Sequence, residues 1–362
     1  MSIPSNLERR QFLTLSSMAL GATVLSSSST ELHALQETSK DAATVESDGT
    51  KYGKYLVLAK NNPPTERGVF MFPVTTDLPG FSIAIIGRML PPGPMPGHEA
   101  PEKHDGEIEL LIHLGNNPDD PLDLGADVDF FLGNGPWQEH YTLNRTTAVH
   151  LPNGMWHCPW KVKKIRTDVN WVNLRIGKNG GGIPGLPSGV DPGAAPLPAS
   201  DGESENPQER AKAKTSGTIF NKYLLSGVPK DLKDPEGGKW IVYSDCTKID
   251  SGLLMRIIRY SPEKAPYPVI DAQAHEYPAM FLFLGTDLKD CSDLGAEVEL
   301  LLGPEKERHV ITKSAMVYLP ADTVHGPFKV TKATKPFTFL EVVAGPELPG
   351  AVYGPGGIKV SA

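Results

Sequence analysis

The strongest constraint on this chain is an internal repeat. The segment Asp123–Asp129 reads DLGADVD, and 170 positions later Asp293–Glu299 reads DLGAEVE. Further matches keep nearly the same offset on both sides of this segment: Lys54-Tyr55-Leu56 with Lys222-Tyr223-Leu224, Leu114-Gly115 with Leu284-Gly285, Leu132-Gly133 with Leu302-Gly303, Leu151-Pro152 with Leu319-Pro320, and Lys161-Val162 with Lys329-Val330. Chance does not produce so many matches in one order, so the chain contains one structural unit twice.

The repeat also sets the expected domain boundaries. The matching positions predict an N-terminal module at 52–177 and a C-terminal module at 220–346, each close to the usual size of a domain. Residues 178–215 are rich in Gly, Pro, Ser and charged side chains, which predicts a linker. A leading segment at 1–46 and a tail at 347–362 complete the chain.

Within each module, the apolar residues follow the pattern of short strands. Runs such as Phe81–Ile86 and Ile108–Leu114 are bounded by turn residues, and Leu253–Ile258 and Met280–Leu284 are their counterparts in the second module. The 36 glycines and 34 prolines favour tight turns, and no segment offers a long helical stripe. The sequence therefore predicts an all-β protein made of two tandem sandwich or jelly-roll domains.

Charge and cysteine content narrow the range of functions. The 362 residues include 43 acidic and 35 basic side chains, for a formal net charge of −8, so the basic surface of a general nucleic-acid binder is missing. Three cysteines are too few for a disulfide scaffold. At most one bridge can form; Cys246 and Cys291 are the expected pair if one does, which leaves Cys158 as a free thiol.

The first residues of the chain resemble a twin-arginine export signal. Arg9-Arg10 precedes the uncharged apolar run Phe12–Leu25, which as a helix is about 21 Å long and too short for a hydrocarbon core of about 30 Å. The resemblance implies no stable membrane span, cleavage between Leu35 and Ser47, and export by the twin-arginine machinery to a periplasmic or extracellular location. Because that route carries folded proteins, a cofactor can be loaded before export.

Short motifs in the first module resemble those of the cupin family. Pro152–His157 fits the pattern P-x-G-x-x-H of the second cupin motif. Glu109, followed by Gly115, is similar to the end of the first cupin motif, and His104 stands just upstream of it. The whole chain thus resembles a two-cupin protein, or bicupin. The resemblance implies two jelly-roll barrels and a divalent transition metal, one of Fe, Mn, Ni, Cu or Zn, bound inside a barrel.

Mapped onto this chain, the cupin ligands are His104, Glu109 and His157. The first histidine of the usual H-x-H pair is missing, because Glu102 stands two residues before His104. Glu102 can still ligate a metal as a carboxylate, and His98 lies close enough in sequence to compete with it. The resemblance therefore predicts a metal site in the N-terminal barrel made of His104, Glu109, His157 and Glu102.

The second module keeps fewer of the motif residues. His275 and His325 match the outer histidines, Gln273 stands where the first histidine belongs, and Ala279 takes the place of the carboxylate. Two imidazoles and an amide bind a divalent cation poorly without an acid. His275, His325 and Gln273 are therefore a possible second site, and the first barrel is the expected place of the metal.

Other histidines and an aromatic residue are candidates for the pocket. His140 and His309 occupy similar positions before the motif turns, where they can line the pocket mouth, add a ligand or lie on the surface. Trp156 flanks His157, and an aromatic wall would suit a ring or sugar. His113 and His150 align with Phe283 and Tyr318, which favours structural positions in the barrel over ligands.

Three classes of function remain open at this point. The first is a metal-dependent enzyme acting on a small organic substrate, as a dioxygenase-like oxidoreductase, an isomerase or a decarboxylase. The second is a non-catalytic periplasmic cupin that binds a small ligand such as a sugar or an aromatic acid; storage or delivery of the metal is a third. A two-module chain can form an internal pseudo-dimer, so a monomer and a homodimer are both expected states.

Overall fold

The structure is a computed structural model. It describes residues 50–60, 69–70, 72, 75–78, 81–93, 97–98, 101–104, 107–134, 138–152, 155–177, 220–244, 253–344, 352–354 and 357–359. The predicted export segment at 1–46, the linker at 178–215, most of the tail and Cys246 lie outside these residues. In the part of the chain that is described, no helix has the length and apolar character needed to cross a membrane.

Strands make up nearly all the regular structure of both modules. Ten strands precede the linker: β1 (Leu56–Leu58), β2 (Val69–Phe70), β3 (Thr75–Leu78), β4 (Phe81–Leu90), β5 (Glu107–Gly115), β6 (Asp123–Leu132), β7 (Glu139–Arg145), β8 (Thr147–Leu151), β9 (His157–Ile165) and β10 (Val169–Gly177). Twelve follow it: β11 (Leu224–Leu225), β12 (Gly238–Ser244), β13 (Leu253–Tyr260), β14 (Tyr267–Ile270), β15 (Ala279–Leu284), β16 (Asp293–Leu302), β17 (Glu307–Lys313), β18 (Ala315–Leu319), β19 (His325–Ala333), β20 (Phe337–Ala344), β21 (Val352–Gly354) and β22 (Gly357–Lys359).

The helical residues among those described form short 3-10 turns. They are Gly53–Tyr55, Asn221–Tyr223 and Pro262–Lys264. The first two turns occupy matching positions, directly before β1 and β11.

Each module is a two-layer jelly roll. In the first, a large sheet with the order β8-β5-β10-β4-β2 faces a small sheet with the order β7-β6-β9. In the second, the matching sheets have the orders β18-β15-β20-β13-β12 and β14-β19-β16-β17. The chain crosses several times between the two sheets of its module, as in a jelly roll. The predicted fold class, all-β with two tandem jelly-roll domains, is confirmed.

The repeated DLGA segment forms a bulge at the start of a strand. The Asp123 carboxylate accepts a hydrogen bond from the Gly125 amide at 3.0 Å, and Asp293 does the same for Gly295. Both glycines have positive φ, 69° and 70°, which favours glycine over other residues. The strongest repeat signal in the sequence therefore reports a backbone requirement rather than a ligand site.

The two modules exchange their first strands. β1 of the first module pairs with β18 of the second, with Leu56 opposite Val317. β11 of the second module pairs with β8 of the first, with Leu224 opposite Val149. A carboxylate anchors each exchanged segment: Glu307 accepts from the amide of Tyr52, and Glu139 accepts from the amide of Phe220.

The large sheets are covered on both faces, which explains their continuous apolar runs. Along β15, Ala279, Phe281 and Phe283 belong to the core of the second barrel, whereas Met280, Leu282 and Leu284 belong to a core that is continuous with the first module. Arg259 crosses between the modules and donates to the carbonyl of Gly115 at 2.6 Å, and Asn170 donates to the carbonyl of Gly285 at 3.0 Å.

His150 lies in this shared core and is expected to make the protein sensitive to acid. Its side chain is fully buried, and neither ring nitrogen has a hydrogen-bond partner among the described residues. Burial lowers the pKa of His150 to about 3, and that of His113 to about 4. Because an unfolded histidine has a pKa of about 6.5, the unfolded chain binds protons that the folded chain does not bind, and stability falls as the pH drops below about 6.5.

We expect His150→Tyr, which introduces the residue found at the matching position Tyr318, to reduce this acid sensitivity. Between pH 6.5 and 5 the substitution should remove about 2 kcal/mol of the loss in unfolding free energy, at about 1.4 kcal/mol per pH unit. Urea denaturation at pH 7 and pH 5 measures the effect. His140→Tyr, at an exposed position, is the matched control and should keep the acid sensitivity of the wild type; an undiminished loss in His150→Tyr would contradict the assignment.

Candidate metal centre

The first cluster of candidate ligands is built from three parts of the N-terminal barrel. Glu109 projects from β5, and His157 begins β9 on the opposite sheet. Glu102 belongs to the segment before β5 and exchanges two backbone hydrogen bonds with His157, both 2.9 Å long. His104 follows two residues later. The jelly roll thus brings ligands from opposite walls to one place inside the barrel.

The donor atoms of these four side chains lie close together. Nε2 of His157 is 3.4 Å from Oε1 of Glu102 and 3.3 Å from Oε2 of Glu109. Nε2 of His104 is 3.5 Å from the same Glu109 oxygen. Glu102, His104 and His157 form a set whose ligand atoms all lie within 4.8 Å of one another. The structure therefore brings together all four residues predicted for the first metal site.

His157 is oriented with its ligating nitrogen inward. Its Nδ1 lies 3.1 Å from the carbonyl oxygen of Met155, so Nδ1 carries the hydrogen and Nε2 has its lone pair directed at the cluster. Phe130 stacks on the imidazole, with the rings 14° from parallel. Nε2 of His157 and Oε2 of Glu109 are buried and have no hydrogen-bond partner among the described residues.

Burial and charge act differently on the two histidines. Burial lowers the pKa of His104, so this imidazole is neutral and able to ligate a cation. Burial also opposes protonation of His157, but Glu109 and Glu102 outweigh it and raise its pKa. The two carboxylates therefore favour a positive charge at this place in the barrel, as a cation site needs.

The second barrel contains an acidic residue that the comparison of motifs did not identify. His275 and His325 face each other with ring centroids 4.8 Å apart, and Gln273 exchanges backbone hydrogen bonds with His325 as Glu102 does with His157. Nε2 of His275 lies 3.5 Å from Oε1 of Glu341, which comes from β20. The interpretation of the second site as lacking an acid is therefore wrong, because the neighbouring strand supplies the carboxylate.

That acid is already neutralised within the protein. Nε of Arg256 lies 2.8 Å from Oε2 of Glu341, and both side chains are at least 96% buried. Burial opposes ionisation of Glu341, but Arg256 outweighs it and lowers the pKa. Burial, followed by the neighbouring His275, lowers the pKa of His325 to about 4. The second cluster is thus electrically neutral, and adding a divalent cation would leave two uncompensated charges in the barrel interior.

The pocket candidates fall into two groups. Near the first cluster, Nε2 of His98 lies 3.6 Å from Oε2 of Glu102, and Lys103 lies over the ring of Trp156 at 5.8 Å. Away from it, His140 is largely exposed and bonds to Asp129, whereas His309 is buried and bonds to Glu307.

The predicted correspondence of His140 with His309 is wrong by one residue. His140 lies opposite Phe131 in the first module, and at the matching position of the second module Arg308 lies opposite Leu301. The residue that corresponds to His140 is therefore Arg308 and not His309. Because successive residues of a strand point to opposite faces, this slip places one histidine outside and the other inside. His309 instead supports Glu307, the carboxylate that anchors the exchanged first strand.

Two further residues near the first cluster do not belong to any of the sequence motifs. Cys158 follows His157, and its thiol donates to Oε1 of Glu102 at 3.7 Å. Burial, together with Glu102 and Glu109, raises its pKa well above the usual range. Arg175 pairs with Glu109 across β10 and β5, and its charge adds to the effect of burial in lowering the pKa of His104. An arginine opposite a motif acid in the strand pattern is a signal that sequence reasoning could have used.

A scan against protein-family models and a search of curated proteins found no match to this chain. Among solved structures, it is similar to a mutant of Bacillus subtilis oxalate decarboxylase, at 11% identity and a TM-score of 0.46, over 84% of this chain and 80% of that one. It is also similar to Lactobacillus farciminis oxalate decarboxylase in a formate complex, at 12% identity and a TM-score of 0.45, over 81% and 86% of the two chains. At these values the matches carry no information on activity.

Proposed function

We propose that this protein is an exported, metal-dependent enzyme that acts on a small organic substrate inside its N-terminal barrel, as a dioxygenase-like oxidoreductase or an isomerase. The observation that carries the proposal is the convergence of Glu102, His104, Glu109 and His157 at distances of 3.3 to 3.5 Å. The buried ligand atoms Nε2 of His157 and Oε2 of Glu109 have no hydrogen-bond partner among the described residues, as expected for a site that is completed by a cation.

The residues fit a divalent transition metal. Neutral imidazole and carboxylate oxygen are ligands for Fe, Mn, Ni, Cu and Zn, and two carboxylates offset the charge of one divalent ion. When bound, such a metal supplies a Lewis acid, and in the case of iron, manganese or copper also a redox centre. Glu109 and Glu102 would hold it together with His104 and His157.

The surrounding residues have distinct tasks in this proposal. The Met155 carbonyl fixes the tautomer and the ring orientation of His157, so the ligand does not need to reorganise on binding. Phe130 covers one face of that ring and excludes water from it. Arg175, in register with Glu109, provides a cation on the same interior face of the barrel. A guanidinium at this position suits a substrate that carries a carboxylate.

Metal analysis of matched histidine variants tests the proposal. His157→Ala and His325→Ala remove equivalent residues from the two barrels, so each is a structural control for the other. We expect His325→Ala to bind as many transition-metal ions per chain as the wild type, and His157→Ala to bind one fewer. Turnover of small carboxylic acids by the metal-loaded protein should be lost with His157→Ala while the circular dichroism spectrum is retained.

Two outcomes would contradict the proposal. Retained metal and turnover in His157→Ala would place the chemistry elsewhere. Absence of metal from the wild type, after loading with each candidate ion, would favour the ligand-binding function instead. In that case, stabilisation of the protein by a sugar or an aromatic acid should survive treatment with a chelator.

A further inference from the structure

The backbone at Cys158 is in a conformation that disfavours a side chain. Its φ is +70°, in the left-handed region that non-glycine residues rarely adopt. The matching residue of the second module is Gly326, with φ +85°. A Cβ added to Gly326 would lie 2.7 Å from the carbonyl oxygen of Asp271. The fold therefore favours glycine here, and the first barrel keeps a cysteine at a cost in conformational free energy.

The thiol of Cys158 is directed at a second set of metal-binding groups. Cys158 is 3% exposed, and its Sγ lies 3.7 Å from Oε1 of Glu102. On the other side of this carboxylate, Oε2 lies 3.6 Å from Nε2 of His98, a buried nitrogen without a hydrogen-bond partner among the described residues. The ligand atoms of His98, Glu102 and Cys158 all lie within 4.8 Å of one another. This set and that of Glu102, His104 and His157 share only Glu102.

The second module has none of these three side chains at the matching positions. Backbone pairing places His98 opposite Trp160, and Ile270 opposite the matching residue Phe328. Glu102 corresponds to Gln273, since each bridges to the last histidine of its module. The counterpart of Cys158 is Gly326. An imidazole, a carboxylate and a thiol are therefore present together at these positions of one barrel and absent together from the matching positions of the other, as a shared ligand would require.

We propose that His98, Glu102 and Cys158 bind a second cation beside the first centre, with Glu102 as a carboxylate shared between the two. The donor set of one nitrogen, one oxygen and one sulfur suits a borderline or soft ion such as Zn²⁺, Co²⁺ or Cu⁺. Binding forms a bond between the metal and the Cys158 sulfur and releases the thiol proton to solvent, with no change of oxidation state. The inference rests on the proposed function only through the shared Glu102.

Titration with Co²⁺ tests this second site, because a thiolate ligand to cobalt gives a charge-transfer absorption band that oxygen and nitrogen ligands do not give. We expect the wild type to bind two Co²⁺ ions per chain and to show this band. Cys158→Gly, which restores the residue of the second barrel and removes the strained side chain, should bind one ion without the band. His98→Leu should also lose the second ion. Cys246→Ser, the control for another cysteine, should keep the band.

The outcomes separate this inference from the proposed function. Absence of the thiolate band from wild type that has bound Co²⁺, or its persistence in Cys158→Gly, would overturn the second site. The double variant His104→Ala/His157→Ala should lose the first ion and keep the thiolate band, since His98, Glu102 and Cys158 remain. A wild type that shows the band but no turnover would therefore remove the proposed function and leave the second site standing.

Discussion

Arg256→Met is expected to lower the unfolding free energy by about 3 to 5 kcal/mol, because it leaves the Glu341 carboxylate buried without its partner. Arg256 and Glu341 are 3% and 1% exposed, and they lie directly opposite each other on β13 and β20. The remaining neighbour of this carboxylate, His275, is 3.5 Å away and cannot replace the permanent charge of a guanidinium. Urea denaturation at pH 7 measures the loss.

The control for this prediction is the double variant Arg256→Met/Glu341→Gln. Removing both charges should recover most of the lost stability, since replacing a whole buried ion pair is often close to neutral. A loss in the double variant as large as in Arg256→Met would show that packing, rather than charge, determines the effect.

Arg256→Met also tests the reason for expecting metal in the first barrel and not in the second. In Arg256→Met, the carboxylate of Glu341 becomes available together with His275 and His325, so Zn²⁺ should raise the melting temperature through this new site. In a His104→Ala/His157→Ala/Cys158→Gly background, which removes both proposed sites of the first barrel, Zn²⁺ should leave the melting temperature unchanged as long as Arg256 is present. Equal stabilisation with and without Arg256 would refute the view that this arginine takes the place of a metal ion.

Gly115→Ala is expected to destabilise the protein by about 3 kcal/mol, at the upper end of the usual cost of overpacking. A Cβ at this position would lie 1.8 Å from the carbonyl oxygen of Asp123, a backbone atom that cannot rotate away. The strand cannot move to relieve the clash, because Thr146 holds the Gly115 amide and Arg259 holds its carbonyl. Gly285→Ala should behave alike, with the Cβ 2.0 Å from the Asp293 carbonyl.

Thr146→Ser is the matched control for the glycine variants. It keeps the hydroxyl that accepts from Gly115, and Ser314 makes the same contact to Gly285 in the second module. We expect it to change the unfolding free energy by less than about 1 kcal/mol, because only one methyl group is lost. Thermal unfolding followed by circular dichroism compares the three variants, and a near-neutral Gly115→Ala would contradict the proposed close approach.

Much of the first site could be predicted because its ligands lie on motifs with fixed spacing. Glu109 and His157 lie on opposite walls of any barrel that has this strand order and face its interior, so recognising the order was sufficient to bring them together. Glu102 could be added because it stands two residues from His104 in an extended segment, on the same side of the chain.

The acid of the second site was missed because no motif carries it. Glu341 is 16 residues beyond His325 in sequence, and only the pairing of β20 with β15 places it opposite Phe281 in the barrel interior. A signal was present in the sequence, since Glu341 is the single charge of β20 and Arg256 is one of two arginines in the otherwise apolar β13. Charges of opposite sign in such strands are expected to be paired when buried.

By itself, the sequence determined the all-β class, the duplication and the four residues of the first candidate cluster, because repeats, turn residues and motif spacing are local properties of the chain. The tertiary structure decided which strands belong to which barrel, and it moved β1 and β11 into the opposite modules. It also decided which acid serves the second cluster and on which faces His140 and His309 lie. These features depend on strand register and on charge in a low-dielectric interior, which arise only when distant segments pack together.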